Sequence, residues 1–123
     1  MEDNNKFSVK KRGKSFVYAF NGIKIFFGTQ HNVWIHSAIA VLVIIGGFYF
    51  KVSTAEWCFL VFAIGFVLTA EAINTAMEYL VDLVSPEHNI KAGKIKDIAA
   101  GATLIAAITA ATVGLIIFIP RII

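Results

Sequence analysis

Four polar side chains recur along one apolar stretch of the chain: Glu71, Asn74, Glu78 and Asp82. On a helix that turns about 100° per residue they lie at about 0°, −60°, −20° and +20°, which is a narrow polar stripe. Three acids on one face repel one another, and a bound divalent cation would offset that repulsion. Mg²⁺ in particular favours one or two carboxylates together with water and substrate phosphates.

A purely structural role for the stripe is the alternative, because polar side chains can join membrane helices through hydrogen bonds. Asn74 alone would serve that purpose, and the other apolar stretches contain no matching Lys or Arg at depth. A carboxylate in the apolar layer costs at least ~2.5–3.5 kcal/mol on insertion scales, and such residues mark functional sites by default. The stripe therefore favours a functional site.

The elements that position this stripe are predicted to be membrane-spanning helices. The chain has 123 residues, is 58% hydrophobic and has a mean hydropathy of +0.75. Three segments reach the roughly 20 residues that a ~30 Å apolar layer requires, and they cover residues 33–50, 57–84 and 98–119. The turn KVSTAE joins the first two, Pro86 marks the end of the second, and the polar loop SPEHNIKAGKIKD precedes the third. The predicted fold class is an all-α integral membrane protein with a single domain.

The distribution of Lys and Arg predicts the orientation of the chain in the membrane. Most basic residues precede the first span or lie in the second loop, and Lys51 and Arg121 are the exceptions. We therefore expect the N-terminus and the second loop to be cytoplasmic and the C-terminus to lie outside. The net charge of +3 fits this topology, and no nucleic-acid partner is expected because no soluble basic face is predicted.

Two further segments suggest how the chain associates. Within residues 1–30, a cytoplasmic tail is followed by Phe16, Phe20, Ile23 and Phe27 at helical spacing, opposite a basic face. This pattern predicts an amphipathic helix on the membrane surface, and an extension of the first span is the alternative. The third span is rich in Ala and Gly, which let helices approach closely, so we expect a homo-oligomer.

The second loop combines three lysines with an acid. Lys91, Lys94, Lys96 and Asp97 beside the carboxylate stripe would suit a polyphosphate bridged to the acids by a metal ion. Ordinary membrane topology explains basic cytoplasmic loops equally well. The sequence contains no GxxxxGK[ST] phosphate loop, and His31, His36 and His88 lack paired metal-ligand spacing.

The run AEAINTAMEYLVDLVSPEHNIKAGKIKDIAAGATLI strongly resembles the signature region of the bacterial diacylglycerol kinase family, which includes the undecaprenol kinases. The shared skeleton consists of Glu71, Asn74, Thr75, Ala76, Glu78, Asp82, Glu87, Gly93, Lys96 and Asp97. A weaker resemblance extends upstream through SFVYAFNGIKIFF.

The resemblance implies a bacterial cytoplasmic-membrane lipid kinase. Family members are homotrimers with a surface helix and three spans per protomer, and they transfer the γ-phosphoryl group of Mg-ATP to a lipid hydroxyl. By matching positions, Glu71 is implied as general base, Glu78 as a Mg²⁺ ligand, and Asn74 and Asp82 as site-positioning groups. The positions implied to contact ATP are Lys11, Arg12, Tyr18, Glu87, His88, Asn89, Lys96 and Asp97.

One position departs from the family pattern. Many relatives have a second metal-binding glutamate before the first span, and Gln30 stands there in this chain. A glutamine carbonyl can coordinate a metal ion but adds no charge. We therefore expect either weaker binding of a second ion or another acid that supplies the charge. The resemblance leaves the acceptor lipid open between diacylglycerol and undecaprenol.

A rival function is a small proton- or cation-coupled transporter with Glu71 as the titrating group. Three spans, a basic loop and oligomerisation fit this function too, but it does not account for the motif from Glu87 to Asp97. A non-catalytic membrane scaffold is a third possibility, which the complete acid stripe disfavours.

Overall fold

The described part of the chain contains only helices and the short connections between them. A computed structural model describes residues 8–123, so residues 1–7, the beginning of the predicted cytoplasmic tail, lie outside the described part. Four helices follow in order: α1 Val9–Thr29, α2 His31–Tyr49, α3 Thr54–Val84 and α4 Ile90–Ile122. Helices α2, α3 and α4 are long and apolar enough to cross a membrane, which confirms the three predicted candidate spans.

Helix α1 belongs to one compact unit, and α2–α4 form another. The hydroxyl of Ser8 caps α1 by accepting a hydrogen bond from the backbone N–H of Lys11 at 3.3 Å. The helix ends at Thr29, and Gln30 is extended. Phe16 and Phe20 of the predicted apolar face are exposed, so this helix does not bury that face within its own unit.

The turn between α2 and α3 is built from backbone hydrogen bonds and a helix cap. The N–H of Val52 donates to the carbonyl of Gly47 at 3.1 Å, and Lys51 takes a positive φ of 53°. Ser53 and Glu56 then form a reciprocal capping box, which satisfies backbone donors at the start of α3. This cap explains why α3 begins at Thr54, a few residues before the predicted span.

The buried core of the three-helix unit lies near this turn. Val52, Leu60 and Ile117 form its centre, and five partly buried residues pack around them: Val43, Phe50, Trp57, Val113 and Phe118. Gly47 is required for this packing, because a Cβ there would lie 2.5 Å from the Trp57 ring.

An ion pair joins the first turn of α3 to the last turn of α4. The Arg121 guanidinium donates to both carboxylate oxygens of Glu56, at 2.6 and 2.7 Å. It also donates to the carbonyl of Ile117 at 2.7 Å, within the last two turns of α4. The same end of the two helices is therefore held by both apolar packing and a forked ion pair.

The connection between α3 and α4 is shorter than the sequence predicted. Only residues 85–89 lie outside helices, whereas a loop over residues 85–97 was expected. The side-chain oxygen of Asn89 accepts from the backbone N–H of Ala92 at 2.8 Å and caps α4. The prediction placed the helix start where apolar residues begin, but a helix starts at its cap.

The length of α4 exceeds the thickness of a membrane. Its 33 residues extend for about 50 Å at 1.5 Å per residue, against an apolar layer of ~30 Å. Lys91, Lys94 and Lys96 lie on its first two turns, not on a loop. The basic segment is therefore a helical continuation of the span.

The outer surface of the three-helix unit is apolar. In the most apolar window of each candidate span, no more than 22% of the residues are buried inside the protein. Many large aliphatic and aromatic side chains of α2–α4 are exposed. Such a surface is suited to lipid or to neighbouring helices and not to water.

Candidate active site

The polar stripe lies along one uninterrupted helix. Glu71, Asn74, Glu78 and Asp82 all belong to α3, which is continuous from Thr54 to Val84. Since each residue advances a helix by 1.5 Å, Glu71 and Asp82 are separated by about 16 Å along its axis. Glu71 is mostly buried, whereas Asp82 is exposed. The stripe therefore runs from the interior of the helical unit to its surface.

Glu71 is held against α2 by a histidine. The Nε2 atom of His36 lies 3.0 Å from Oε1 of Glu71, and the side chains are 24% and 12% exposed, respectively. The Thr75 hydroxyl also donates to the backbone carbonyl of Glu71 at 2.9 Å. The carboxylate implied as general base thus has a defined partner and little exposure.

His36 was missed as a site residue by sequence reasoning. That reasoning looked for Lys or Arg to accompany the acids and considered histidines only as paired metal ligands. A lone histidine in an otherwise apolar stretch was the available signal, since ionisable groups in a span are rare and costly. Its pairing with Glu71 depends on how α2 packs on α3, which spacing within one helix does not determine.

An apolar cavity of about 570 Å³ lies between α2, α3 and α4. Its walls come from residues 36–43 of α2, residues 60–68 of α3 and residues 107–118 of α4, and they are aliphatic, small or aromatic except at His36. Along α3, the cavity lining ends at Leu68, one helical turn before Glu71. The His36–Glu71 pair therefore lies at one end of an elongated apolar space.

Asn74 faces a second groove, between α3 and α4. This groove has a volume of about 440 Å³, and Ile95, Ile98 and Ala99 contribute to its wall on α4. The side-chain oxygen of Asn74 is buried and has no hydrogen-bond partner among residues 8–123. A buried carbonyl oxygen without a partner is costly unless something else occupies its lone pairs.

The donor set around Asn74 suits Mg²⁺ better than a transition metal. Asn74 and Glu78 are four residues apart and so are neighbours on α3. Within the described part of the chain, no cluster of three or more His, Cys, Asp or Glu side chains could enclose a metal ion. An amide oxygen and a carboxylate, completed by water and phosphate oxygens, match the ligands that Mg²⁺ prefers.

The exposed end of the stripe meets the basic start of α4. The Lys96 ammonium donates to Asp82 at 2.6 Å. The negative charge of Glu78 also attracts this ammonium. Both side chains of the Lys96–Asp82 pair are exposed, so the pair adds little stability. It does hold a cation beside the acids. Asp97 is exposed and lies about 100° further around α4 than Lys96.

The α3–α4 connection contains the other residues implied in ATP contact. Glu87, His88 and Asn89 are all exposed. The Asn89 amide already has two partners, because its oxygen caps α4 and its nitrogen donates to the Ser85 hydroxyl. That hydroxyl in turn donates to the carbonyl of Glu87 at 3.1 Å. Asn89 thus shapes the connection through both atoms of its amide.

The remaining predicted site residues belong to the unit of α1. Lys11, Arg12 and Tyr18 lie on this helix with exposed side chains, and Gln30 follows its end. Lys11 and Tyr18 are seven residues apart, which places them on the same side of the helix, two turns from each other. The three-helix unit thus contains Glu71, Asn74, Glu78, Asp82 and Lys96. Lys11, Arg12, Tyr18 and Gln30 belong to the other unit.

The sequence was compared with known proteins. The family model described as prokaryotic diacylglycerol kinase matches residues 17–118. An undecaprenol kinase of Bacillus subtilis is 40% identical over 108 residues, which cover 88% of this chain and 88% of that protein. A diacylglycerol kinase of Synechocystis sp. is 37% identical over 107 residues, which cover 86% of this chain and 61% of that protein.

Proposed function

Since this chain belongs to the prokaryotic diacylglycerol kinase family, we propose that it is a lipid kinase that transfers the γ-phosphoryl group of Mg-ATP to the hydroxyl of a membrane lipid. Both relatives are named as kinases of lipid alcohols. The observation that carries the proposal is the position of Glu71, a mostly buried carboxylate at the end of an apolar cavity. A lipid chain in that cavity would present its head group to the carboxylate.

The proposed reaction needs one base and a means of holding phosphate. Glu71 accepts the proton of the lipid hydroxyl, and the hydroxyl oxygen forms a bond to the γ-phosphorus. The bond between that phosphorus and the β–γ bridging oxygen breaks, and ADP leaves with the electron pair. Phosphoryl transfer depends mainly on positioning and on neutralising phosphate charge, which a short polar stripe can provide.

Glu78 and the Asn74 side-chain oxygen would hold one Mg²⁺, and Gln30 would be an uncharged, weak ligand of a second ion. The buried side-chain oxygen of Asn74, which has no hydrogen-bond partner among the described residues, supports Asn74 as a metal ligand. A bound Mg²⁺ would neutralise charge on the ATP phosphates as the phosphoryl group moves. Asp82 would act indirectly, by holding the Lys96 ammonium at the cytoplasmic end of the stripe.

Lys96 would bind the ATP phosphates. The other residues proposed to contact ATP are Asp97 on α4, Glu87, His88 and Asn89 in the α3–α4 connection, and Lys11, Arg12 and Tyr18 on α1. The rigid start of α4 supports a phosphate site there, because a helical lysine loses less freedom on binding than one on a loop.

The protein is proposed to assemble as a homotrimer in the bacterial cytoplasmic membrane. The N-terminus and the α3–α4 connection would face the cytoplasm, and α1 would lie on the membrane surface with its aromatic residues in the lipid. Exposed Phe16 and Phe20 support that position for α1. The exposed apolar faces of α2–α4 would contact lipid and neighbouring protomers.

Undecaprenol is the proposed acceptor in preference to diacylglycerol. The match to the undecaprenol kinase covers 88% of that relative, whereas the match to the diacylglycerol kinase covers 61%.

The test is transfer of label from γ-labelled ATP in the presence of Mg²⁺ to undecaprenol or diacylglycerol, offered separately in mixed micelles. We expect transfer to both lipids, with the higher kcat/KM for undecaprenol, and at least a 100-fold loss in Glu71→Gln, as is common when a general base is removed. Glu56→Gln is the matched control, because it alters a carboxylate in the first turn of α3, about 22 Å from Glu71 along the helix axis. Activity that survives Glu71→Gln would disprove the role of Glu71, and a folded protein without transfer to either lipid would disprove the kinase.

A further inference from the structure

His36 is the partner that the structure gives to the proposed catalytic base. Its Nε2 atom lies 3.0 Å from Oε1 of Glu71, within ordinary hydrogen-bond distance. The two residues are 35 positions apart in sequence and come from different helices. The contact therefore depends on the packing of α2 against α3.

The surroundings of the pair leave few other ways to orient the carboxylate. The cavity that His36 lines is walled on α4 by Ala, Gly, Leu and Phe residues, whose side chains donate no hydrogen bonds. Glu78 is two helical turns from Glu71 along α3, or about 10 Å, and Lys96 is bonded to Asp82, about 16 Å along the axis. His36 is thus the donor that the three-helix unit supplies to Glu71.

The geometry also distinguishes the two carboxylate oxygens. A histidine that donates through Nε2–H to Oε1 restricts rotation of the carboxylate and leaves Oε2 to accept another proton. Because His36 lines the apolar cavity and contacts Glu71, its imidazole connects the cavity wall to the carboxylate.

We propose that His36 is a positioning residue for phosphoryl transfer, which holds the Glu71 carboxylate through Oε1 so that Oε2 faces the lipid hydroxyl. This proposal rests on the proposed lipid kinase function and adds a residue that acts through the base. It predicts an effect on kcat with little change in the KM for ATP, because the imidazole orients the base and contacts no phosphate.

The experiment compares three substitutions in the full-length protein in mixed micelles. His36→Leu removes the donor and keeps an apolar side chain at the cavity wall. His36→Gln restores an N–H donor on a side chain of similar reach. Ser37→Ala is the matched control, since it removes a neighbouring buried hydroxyl on α2 that has no hydrogen-bond partner among the described residues.

We expect His36→Leu to lower kcat by roughly 10- to 100-fold, the usual effect of losing a hydrogen bond to a charged group. His36→Gln should recover most of that loss, and Ser37→Ala should match the unmodified protein. Equal kcat in His36→Leu and the unmodified protein would overturn the proposal while leaving the kinase intact. A changed KM for ATP with unchanged kcat would overturn it too.

A double-mutant cycle separates positioning from general stabilisation of the fold. If His36 acts through Glu71, His36→Leu should cost several-fold less in a Glu71→Asp background, where the shorter carboxylate already lies away from the imidazole. Additive losses in the two backgrounds would overturn the proposal. If His36→Leu does not fold, the same cycle is measured with His36→Asn, whose amide is too short to reach Oε1. Failure of the kinase proposal itself is recognised separately, by absence of transfer in the unmodified protein.

Discussion

Single residues of the polar stripe differ in what surrounds them, although all four lie on one helix face. Glu71 is 12% exposed and contacts a histidine, while Asp82 is 64% exposed and contacts Lys96. An exposed ion pair contributes at most about 1 kcal/mol to stability, so the role proposed for the Asp82–Lys96 pair is to orient a cation and not to stabilise the fold. The mostly buried Glu71 has the limited access to water that suits a base acting on a lipid.

Gln30→Glu tests whether the departure from the family pattern weakens metal binding. A carboxylate adds a negative charge to the proposed ligand set, so we expect half-maximal activity at a several-fold lower Mg²⁺ concentration. The measurement is kinase activity over a Mg²⁺ titration at fixed ATP. His31→Glu is the control, because it adds the same charge at the next position. An unchanged Mg²⁺ dependence in Gln30→Glu would show that residue 30 does not reach the metal.

The sequence predicted the acid stripe because all four residues share one helix, where spacing determines direction. The Glu71–His36 contact could not be predicted in the same way. It links residues of two helices, and the relative rotation of α2 and α3 follows from packing of side chains that single-helix periodicity does not describe. The Lys96–Asp82 contact also joins two helices, α4 and α3, so it could not be predicted either.

At the scale of the helices, capping residues determine where α3 and α4 begin, and close side-chain packing determines how α2 lies against α3. The start of α3 follows from Ser53 and Glu56, and the start of α4 follows from Asn89. Apolar runs predicted that these helices exist but misplaced the start of α4 by eight residues, because hydropathy measures which residues can enter lipid. Lysines are compatible with a helix that continues beyond the lipid.

Gly47→Ala tests the packing of α2 against α3. The added methyl group would lie 2.5 Å from the Trp57 ring, which itself packs against Phe48 at a centroid distance of 4.8 Å. We expect the free energy of unfolding to fall by about 1–3 kcal/mol, as is usual for overpacking. The measurement is thermal unfolding in micelles. Gly65→Ala is the control, since its methyl group would have no atom within 4 Å. Equal melting temperatures would contradict the close fit.

For the whole molecule, the apolar runs were sufficient to predict three spans, because their length must match the membrane.

The predicted orientation of the chain in the membrane rests on charge alone, and it can be tested with a single cysteine. In a Cys58→Ser background, we expect Lys51→Cys to react with a membrane-impermeant thiol reagent in intact spheroplasts. Lys91→Cys should react only after lysis, because cytoplasmic basic residues set the topology. The reverse pattern of labelling would invert the proposed orientation.

The apolar cavity between α2, α3 and α4 has a consequence for the protein once it is extracted from its membrane. In the described structure this space has a volume of about 570 Å³, and His36 is its one polar wall residue. Such a space does not distinguish a polyprenyl chain from the alkyl tail of a detergent. Detergent monomers should therefore compete with the acceptor lipid, and the apparent KM for lipid should rise with tail length while the KM for ATP stays constant. Kinetic constants measured in different detergents would then differ because the detergent itself inhibits the enzyme. Reconstitution into bilayers should remove the difference.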